Sequence, residues 1–95
     1  MSEVKVVALI VAQPDKRDAV GKAVRAMVKP SREEPGCLQY DLHEEEGRPG
    51  AFVFIERWKS AQALEEHMAM PYHDAFLAEL QGKLESLEVK KLIQL

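Results

Sequence analysis

Hydrophobic residues recur along the chain with two periods, that of a strand and that of a helix, and the first run indicates a strand. Residues 4–12 are apolar and rich in β-branched side chains, with Lys5 as the interruption. Such a run, ended by Gln13-Pro14, predicts a strand covered on both faces. Helical spacing follows after Asp15, a suitable N-cap, with apolar residues at Val20, Val24, Met27 and Val28.

Prolines mark the end of this first helical region. Lys29-Pro30 should kink or end the helix, although Ser31 followed by Glu34 could cap one more turn. Two strand-like runs come next, at residues 37–44 and 51–59. The residues between them include two glycines and a proline, and they predict a longer hairpin loop.

The remainder of the chain predicts a second helical region and a closing strand. Ser60 can cap a helix that presents Leu64, His67 and Met68 on one face. Met70-Pro71 should break this helix, which resumes over residues 73–84 with Phe76, Leu77, Leu80 and Leu84 on one face. Residues 87–95 form the last strand, so the order is β-α-β-β-α-β, a single α+β domain over residues 1–95.

Both faces of the predicted sheet are apolar, although two helices can cover only one of them. On the third strand Phe52, Phe54 and Trp58 point to one side, whereas Val53 and Ile55 point to the other. Leaving such side chains in water would forgo about 1.5 to 3 kcal/mol each. A second copy packed sheet against sheet is the simplest cover, because most soluble oligomers are two-fold homodimers. We therefore expect a homodimer.

Composition narrows the classes of function. The net charge is −3, and Lys and Arg are interleaved with Asp and Glu, so no basic stripe is present and nucleic acid is not an expected partner. The N-terminus lacks the basic start and apolar run of a signal peptide, and no segment approaches the roughly 20 apolar residues of a membrane span. The single Cys37 cannot form an intrachain disulfide. We expect a cytoplasmic protein without a membrane partner.

Two stretches resemble the antibiotic-biosynthesis-monooxygenase (ABM) family. Ser-Arg-Glu-Glu-Pro-Gly-Cys-Leu-Gln-Tyr-Asp-Leu at residues 31–42 resembles the passage from helix to strand in ABM domains. Phe-Val-Phe-Ile-Glu-Arg-Trp-Lys-Ser at 52–60, continuing through Ala-Leu-Glu-Glu-His at 63–67 to Pro-Tyr-His at 71–73, resembles their most recognisable segment. The resemblance implies a ferredoxin-like dimeric α/β barrel. Its members include cofactor-independent quinol or polyketide monooxygenases, enzymes that process a quorum signal, haem-degrading enzymes and domains of no known activity.

Three side chains are candidates for catalysis. His67 and His73 share helical faces with apolar residues, so both imidazoles should point toward the sheet, where either could take a proton at neutral pH. Glu56 shares the strand face of Phe54 and could act as a pocket acid. The predicted substrate-binding residues are Tyr40, Phe54, Trp58 and Phe76. Each has a structural alternative: a packed core histidine, a paired carboxylate or an aromatic side chain buried in the core.

Metal and haem sites are not expected. The run from His43 to Glu46 alternates faces and is typical of a solvated hairpin end, and Cys37 is interpreted as a structural thiol. Haem-degrading members carry their haem-binding histidine late in the second helical region, where this chain has residues 75–78, Ala-Phe-Leu-Ala. A haem-binding role for His67 or His73, which lie one or two turns earlier, stays an open alternative. The function that the resemblance implies is a monooxygenase that needs no cofactor and acts on a small quinol-like or polycyclic aromatic compound. The alternatives are a binding or protective module without turnover, and a cofactor-free isomerase or signal-degrading enzyme.

Overall fold

The fold consists of four antiparallel strands with two helical regions on one face. The computed structural model describes residues 2–95. The strands are β1 (Val4–Ala12), β2 (Cys37–Glu44), β3 (Ala51–Trp58) and β4 (Leu84–Leu92), in the sheet order β2-β3-β1-β4. The helices are α1 (Arg17–Ala26), α2 (Val28–Arg32), α3 (Ala61–Met68) and α4 (Pro71–Leu80). This element order and sheet order confirm the predicted ferredoxin-like β-α-β-β-α-β fold.

Alternate residues of the central strands face the helices. The helix face of the sheet carries Val6, Ala8 and Ile10 of β1, which pair with Glu56, Phe54 and Phe52 of β3, and all six are buried. The other side, which we call the outer face, consists of Val7, Leu9, Val11, Val53 and Ile55. These side chains are half-buried or exposed, and Ile55 is 39% exposed. The strands are therefore apolar on both faces, as the sequence predicts.

Trp58 and the side chains around it fill the space between the helices and the sheet. Trp58, Val20 and Val24 are each 0% exposed and belong to one hydrophobic cluster, so β3 and α1 contribute to the same core. The two longest helices, α1 and α4, have ten residues each. Within residues 2–95, none of the helices has the length and apolar character that a bilayer crossing requires.

The predicted caps of the first helical region are wrong, whereas that of α3 is confirmed. A 3-10 turn at Pro14–Lys16 precedes α1, so Asp15 does not cap it. Ser31 lies inside α2 and is fully buried, and Pro30 is tolerated there because the first turn of a helix needs no internal N–H bonds. Ser60 Oγ accepts the N–H of Ala63 at 3.1 Å at the start of α3.

The boundary between the last helix and the last strand also differs from the prediction. Helix α4 begins at Pro71, because the fixed φ of proline suits the first helical turn. It ends at Leu80 rather than at Leu84, since Gly82 adopts a left-handed conformation with φ of +76°. Leu84 then pairs with Ala12, so β4 begins three residues earlier than predicted and ends at Leu92.

Candidate active site

A cavity of about 240 Å³ lies between the helix face of the sheet and helices α3 and α4. Its wall is mostly aliphatic and aromatic, with a few polar groups, which is the usual composition of a small-molecule site. Every predicted site residue except Trp58 contributes to the wall, namely Tyr40, Phe54, Glu56, His67, His73 and Phe76. The fold therefore collects residues from β2, β3, α3 and α4 around one space.

Aromatic rings form the wall on the sheet side. Tyr40 is 2% exposed, and its ring lies 5.0 Å from the ring of Phe54, measured between centroids. Phe76 of α4 meets Phe54 edge to face at 6.3 Å, so helix and sheet contact each other through aromatic rings. These contacts give the cavity flat apolar surfaces suited to a planar ring.

Trp58 lies behind the cavity and supports two of its polar residues. Its indole Nε1 donates a hydrogen bond to Glu56 Oε1 at 2.9 Å. Its ring also packs against that of His67, with 4.4 Å between centroids and a tilt of 32°. Trp58 is 0% exposed, and we interpret it as the residue that orients Glu56 and His67.

Glu56 brings a carboxyl group into an apolar environment. It is 6% exposed and lies between Tyr40 and Val6 in the register of the sheet. Burial raises the pKa of Glu56 to about 7, and the hydrogen bond from Trp58 opposes part of this rise. The group can therefore exchange a proton near neutral pH, which is the property expected of a catalytic acid or base.

His67 is held by a carboxylate that the sequence prediction did not include. The imidazole is 2% exposed, at the end of α3, and its Nδ1 lies 2.7 Å from Glu34 Oε2. A carboxylate can only accept, so Nδ1 carries a proton, and in the neutral tautomer that this allows the lone pair is on Nε2. His67 lines the cavity and Nε2 is the ring nitrogen that the bond to Glu34 leaves free, which is the arrangement of an oriented general base.

Tyr72 is a second residue that the sequence prediction missed. Its hydroxyl donates to the same Glu34 oxygen and lies 3.4 Å from Ser31 Oγ. Burial and the bond to Glu34 raise the pKa of Tyr72 to about 12, so the phenol stays protonated as a donor at neutral pH. Glu34 therefore has two donors and a defined position beside His67.

The turn between α2 and β2 positions Glu34. A Cβ added to Gly36 would lie only 2.4 Å from Ala63 Cβ, so the turn packs against α3 more closely than any side chain would allow. Gly36 O also accepts the N–H of Lys59 at 2.9 Å. The Pro35-Gly36 pair was a detectable turn signal, but it does not indicate that Glu34 meets His67, which lies 33 positions later.

His73 adds a second imidazole to the cavity wall. Its ring centroid lies 5.0 Å from that of His67, and its Nδ1 is buried with no hydrogen-bond partner among residues 2–95. Burial lowers the pKa of His73, and the neighbouring His67 lowers it further. The lowered pKa favours the neutral imidazole, and the ring of His73 is part of the cavity wall.

Other residues considered from the sequence lie away from this chemistry. His43 is exposed at the hairpin end of β2. Cys37 is a half-buried free thiol that packs against the core, and burial raises its pKa. In the described part of the chain, no three His, Cys, Asp or Glu side chains are grouped as a metal ion would require.

Comparison with other sequences identifies relatives over most of the chain. The profile of the family described as antibiotic biosynthesis monooxygenase matches residues 3–79. Rv0793 of Mycobacterium tuberculosis is 38% identical over 79 residues, which cover 83% of this chain and 77% of the relative. YcnE of Bacillus subtilis is 35% identical over 71 residues, 75% of each chain. Both are named as candidate monooxygenases. A Synechocystis relative, sll1783, is 35% identical over 72% of this chain, but the match spans only 46% of its own length.

Solved structures show the same fold. PA3566 from Pseudomonas aeruginosa superposes with a TM-score of 0.94 at 34% identity, covering 100% of this chain and 96% of the other. Rv0793 superposes with a TM-score of 0.93 at 36% identity, covering 99% and 96%. The profile match and the identities agree with the resemblance found in the two sequence stretches. This chain belongs to the antibiotic biosynthesis monooxygenase (ABM) family.

Proposed function

We propose that this protein is a cytoplasmic monooxygenase that needs no cofactor and oxidises a small phenol- or quinol-like aromatic compound in the cavity. The observation that supports this most directly is the Glu34–His67 pair, with Nδ1 bonded to the carboxylate and Nε2 left for a ligand. An oriented neutral imidazole beside an apolar space is suited to remove an acidic hydroxyl proton. The aromatic residues of the wall, Tyr40, Phe54 and Phe76, suit the ring that carries the hydroxyl.

In the proposed reaction the substrate supplies the electrons. Nε2 of His67 takes the hydroxyl proton, which leaves a phenolate with an electron-rich ring carbon. This anion gives two electrons to O₂, and a bond forms between that carbon and one oxygen atom, giving a peroxide. Loss of the proton from the same carbon and cleavage of the O–O bond then release a quinone and one water. One ring C–H thus becomes C=O, and the second oxygen atom leaves as water.

The other polar residues of the cavity have supporting roles in this proposal. The imidazolium formed at His67 returns its proton to the peroxide, and Glu56 in its acid form donates a hydrogen bond to the oxygen that becomes negative. His73, whose ring lines the cavity beside His67, contacts the substrate next to the reacting hydroxyl. Phe54, Phe76 and Tyr40 hold the ring and limit the access of competing water.

Oxygen uptake tests the proposal with a panel of naphthols and naphthoquinols, each of which has a ring C–H ortho or para to a hydroxyl. With ¹⁸O₂, a 1-naphthol substrate should give 1,4-naphthoquinone with one labelled oxygen, and the rate should exceed that of buffer and of heat-denatured protein. Dialysis against a chelator should leave turnover unchanged, because the substrate is the reductant. A strict need for added iron, haem or flavin would contradict this mechanism. A ligand that raises the melting temperature without being consumed would indicate a binding module, and a rearranged product formed without O₂ would indicate an isomerase.

We also propose that two copies associate through the outer face. Its centre, where Val7 and Leu9 pair with Ile55 and Val53, is apolar, and charges of both signs lie at its margins. Covering this face would recover about 25 cal/mol for each Å² of apolar surface removed from water. A two-fold copy offers the same apolar face in return.

Sedimentation equilibrium at micromolar concentration should therefore give twice the chain mass. Ile55→Lys should shift the protein toward the monomer, because it would bury an unpaired charge in the contact. Met70→Lys is the matched control, since Met70 is 36% exposed but lies between α3 and α4, away from the outer face. A stable parent monomer at this concentration would contradict the proposed dimer.

A further inference from the structure

Four exposed apolar side chains surround the opening of the cavity. Met68 and Leu77 are each 42% exposed, Leu87 is 46% exposed and Val89 is 54% exposed, and all four also line the cavity. We call these four residues the rim. Isolated exposed apolar residues are common on protein surfaces, but a group that continues into a cavity indicates a binding surface.

The rim exists because the helices do not extend over β4. Leu87 pairs with Ile10 and Val89 pairs with Ala8, so both point to the helix face of the sheet. One strand inward, Ile10 and Ala8 are only 1% and 6% exposed. Of these four side chains on the helix face of the sheet, the two on β1 are therefore buried and the two on β4 are exposed. Leu87 and Val89 form an apolar shelf that continues the floor of the cavity to the edge of the sheet.

Among residues 2–95, no Lys or Arg side chain lines the cavity. Its ionisable residues are Glu56, His67 and His73, with Tyr40 beside them. Lys91 is on the same face of β4, but it lies two residues beyond Val89 and is not part of the wall. A carboxylate, sulfonate or phosphate on a ligand would lose its hydration without gaining a cation, and ionised Glu56 would repel it.

From these features we infer that the substrate is an uncharged aromatic compound with an apolar substituent, the ring lying in the cavity and the substituent lying along the rim. This inference rests on the proposed function, whose site it uses. The cavity volume of about 240 Å³ suits a small ring system, since an apolar cavity of about 150 Å³ holds benzene. A longer substituent must leave the cavity, and the shelf of Leu87 and Val89 gives it an apolar path.

A series of 1-naphthols substituted at carbon 2 tests this inference. The value of kcat/KM should rise roughly two- to fourfold for each of the first few methylenes added, because each becomes partly buried on the rim. The 2-carboxylate and 2-sulfonate analogues should be at least about 10²-fold poorer than 2-methyl-1-naphthol. Equal turnover of the anionic analogues, or no dependence on chain length, would overturn the inference.

Two variants with nearly equal exposure distinguish the rim from general surface effects. Leu87→Ser should flatten the dependence of kcat/KM on chain length. Leu38→Ser should leave it unchanged, since Leu38 is 48% exposed on the other edge strand, outside the cavity wall. A different result would overturn the inference: Leu87→Ser reduces dimerisation, and kcat/KM of the parent protein does not depend on chain length. The rim would then be a contact with a second copy.

The same compounds separate this inference from the proposed reaction. If no naphthol consumes oxygen, the proposed function fails, but the melting temperature can still be measured with each compound. A rise that grows with chain length and is absent for the anionic analogues would support the inferred ligand class without turnover. A melting temperature that rises equally for neutral and anionic compounds would overturn it.

Discussion

His67→Ala should lower kcat/KM for the naphthol reaction by about 10² to 10⁴, the usual contribution of a positioned general base. Its Nδ1 is bonded to Glu34, so the imidazole is oriented before the ligand arrives. The rate should be measured per folded molecule, because His67 is buried and its loss also leaves Glu34 with one donor fewer. We expect the free energy of unfolding to fall by about 1 to 3 kcal/mol in the same variant.

The Glu34→Gln variant separates positioning from proton transfer. The Gln amide can donate to Nδ1, which would leave the proton of the neutral imidazole on Nε2 and remove the lone pair that faces the substrate. Turnover should therefore fall although His67 itself is present, and the pH profile of kcat should change. The control is His43→Ala, which removes an exposed imidazole at the hairpin end, away from the cavity, and should leave the rate unchanged.

The His67→Ala variant also decides whether His67 takes part in the reaction. Normal turnover per folded molecule in this variant would remove His67 from the mechanism.

The fold was predictable because local patterns and the sheet geometry agree. Alternation along residues 51–58 fixes which side chains share a face, and the register then brings Glu56, Phe54 and Tyr40 together. The error at the end of α4 has a local cause. Leu84 fits the helical spacing of Leu80, but the left-handed conformation of Gly82 starts the chain toward β4.

The site was only partly predictable, because part of it depends on contacts between distant segments. A histidine on an apolar helical face could be identified from spacing, whereas its partner Glu34 belongs to a turn that reaches His67 only after Gly36 packs on α3. Tyr72 follows the helix break at Pro71. The hydrophobic periodicity of the sequence does not predict that its hydroxyl donates to Glu34. Trp58 shares a strand face with Glu56, but alternation cannot show that it lies behind the cavity wall.

Glu56→Gln should change the way in which stability depends on pH. Burial raises the pKa of Glu56 from 4.5 to about 7 in the folded protein. The folded state therefore binds the Glu56 proton more tightly than the unfolded state does. The contribution of this proton to the free energy of unfolding is fully present below about pH 4.5 and is lost as the pH rises through about 7. Since one pKa unit corresponds to about 1.4 kcal/mol, the loss between these limits is on the order of 3 kcal/mol.

Because Gln cannot ionise, the Glu56→Gln variant should not show this loss of stability as the pH rises. The side-chain oxygen of Gln can still accept the hydrogen bond from Trp58 Nε1. We expect the variant and the parent to differ little in stability at pH 4.5, and the variant to be more stable by about 3 kcal/mol at pH 8. Urea unfolding can be followed by the fluorescence of the single tryptophan, Trp58, at fixed protein concentration. Glu65→Gln, an exposed change on α3 that removes the same charge, is the control and should show no such trend. If the difference between Glu56→Gln and the parent stays constant from pH 4.5 to 8, Glu56 does not ionise as a buried acid, and its role as a proton donor in the cavity is wrong.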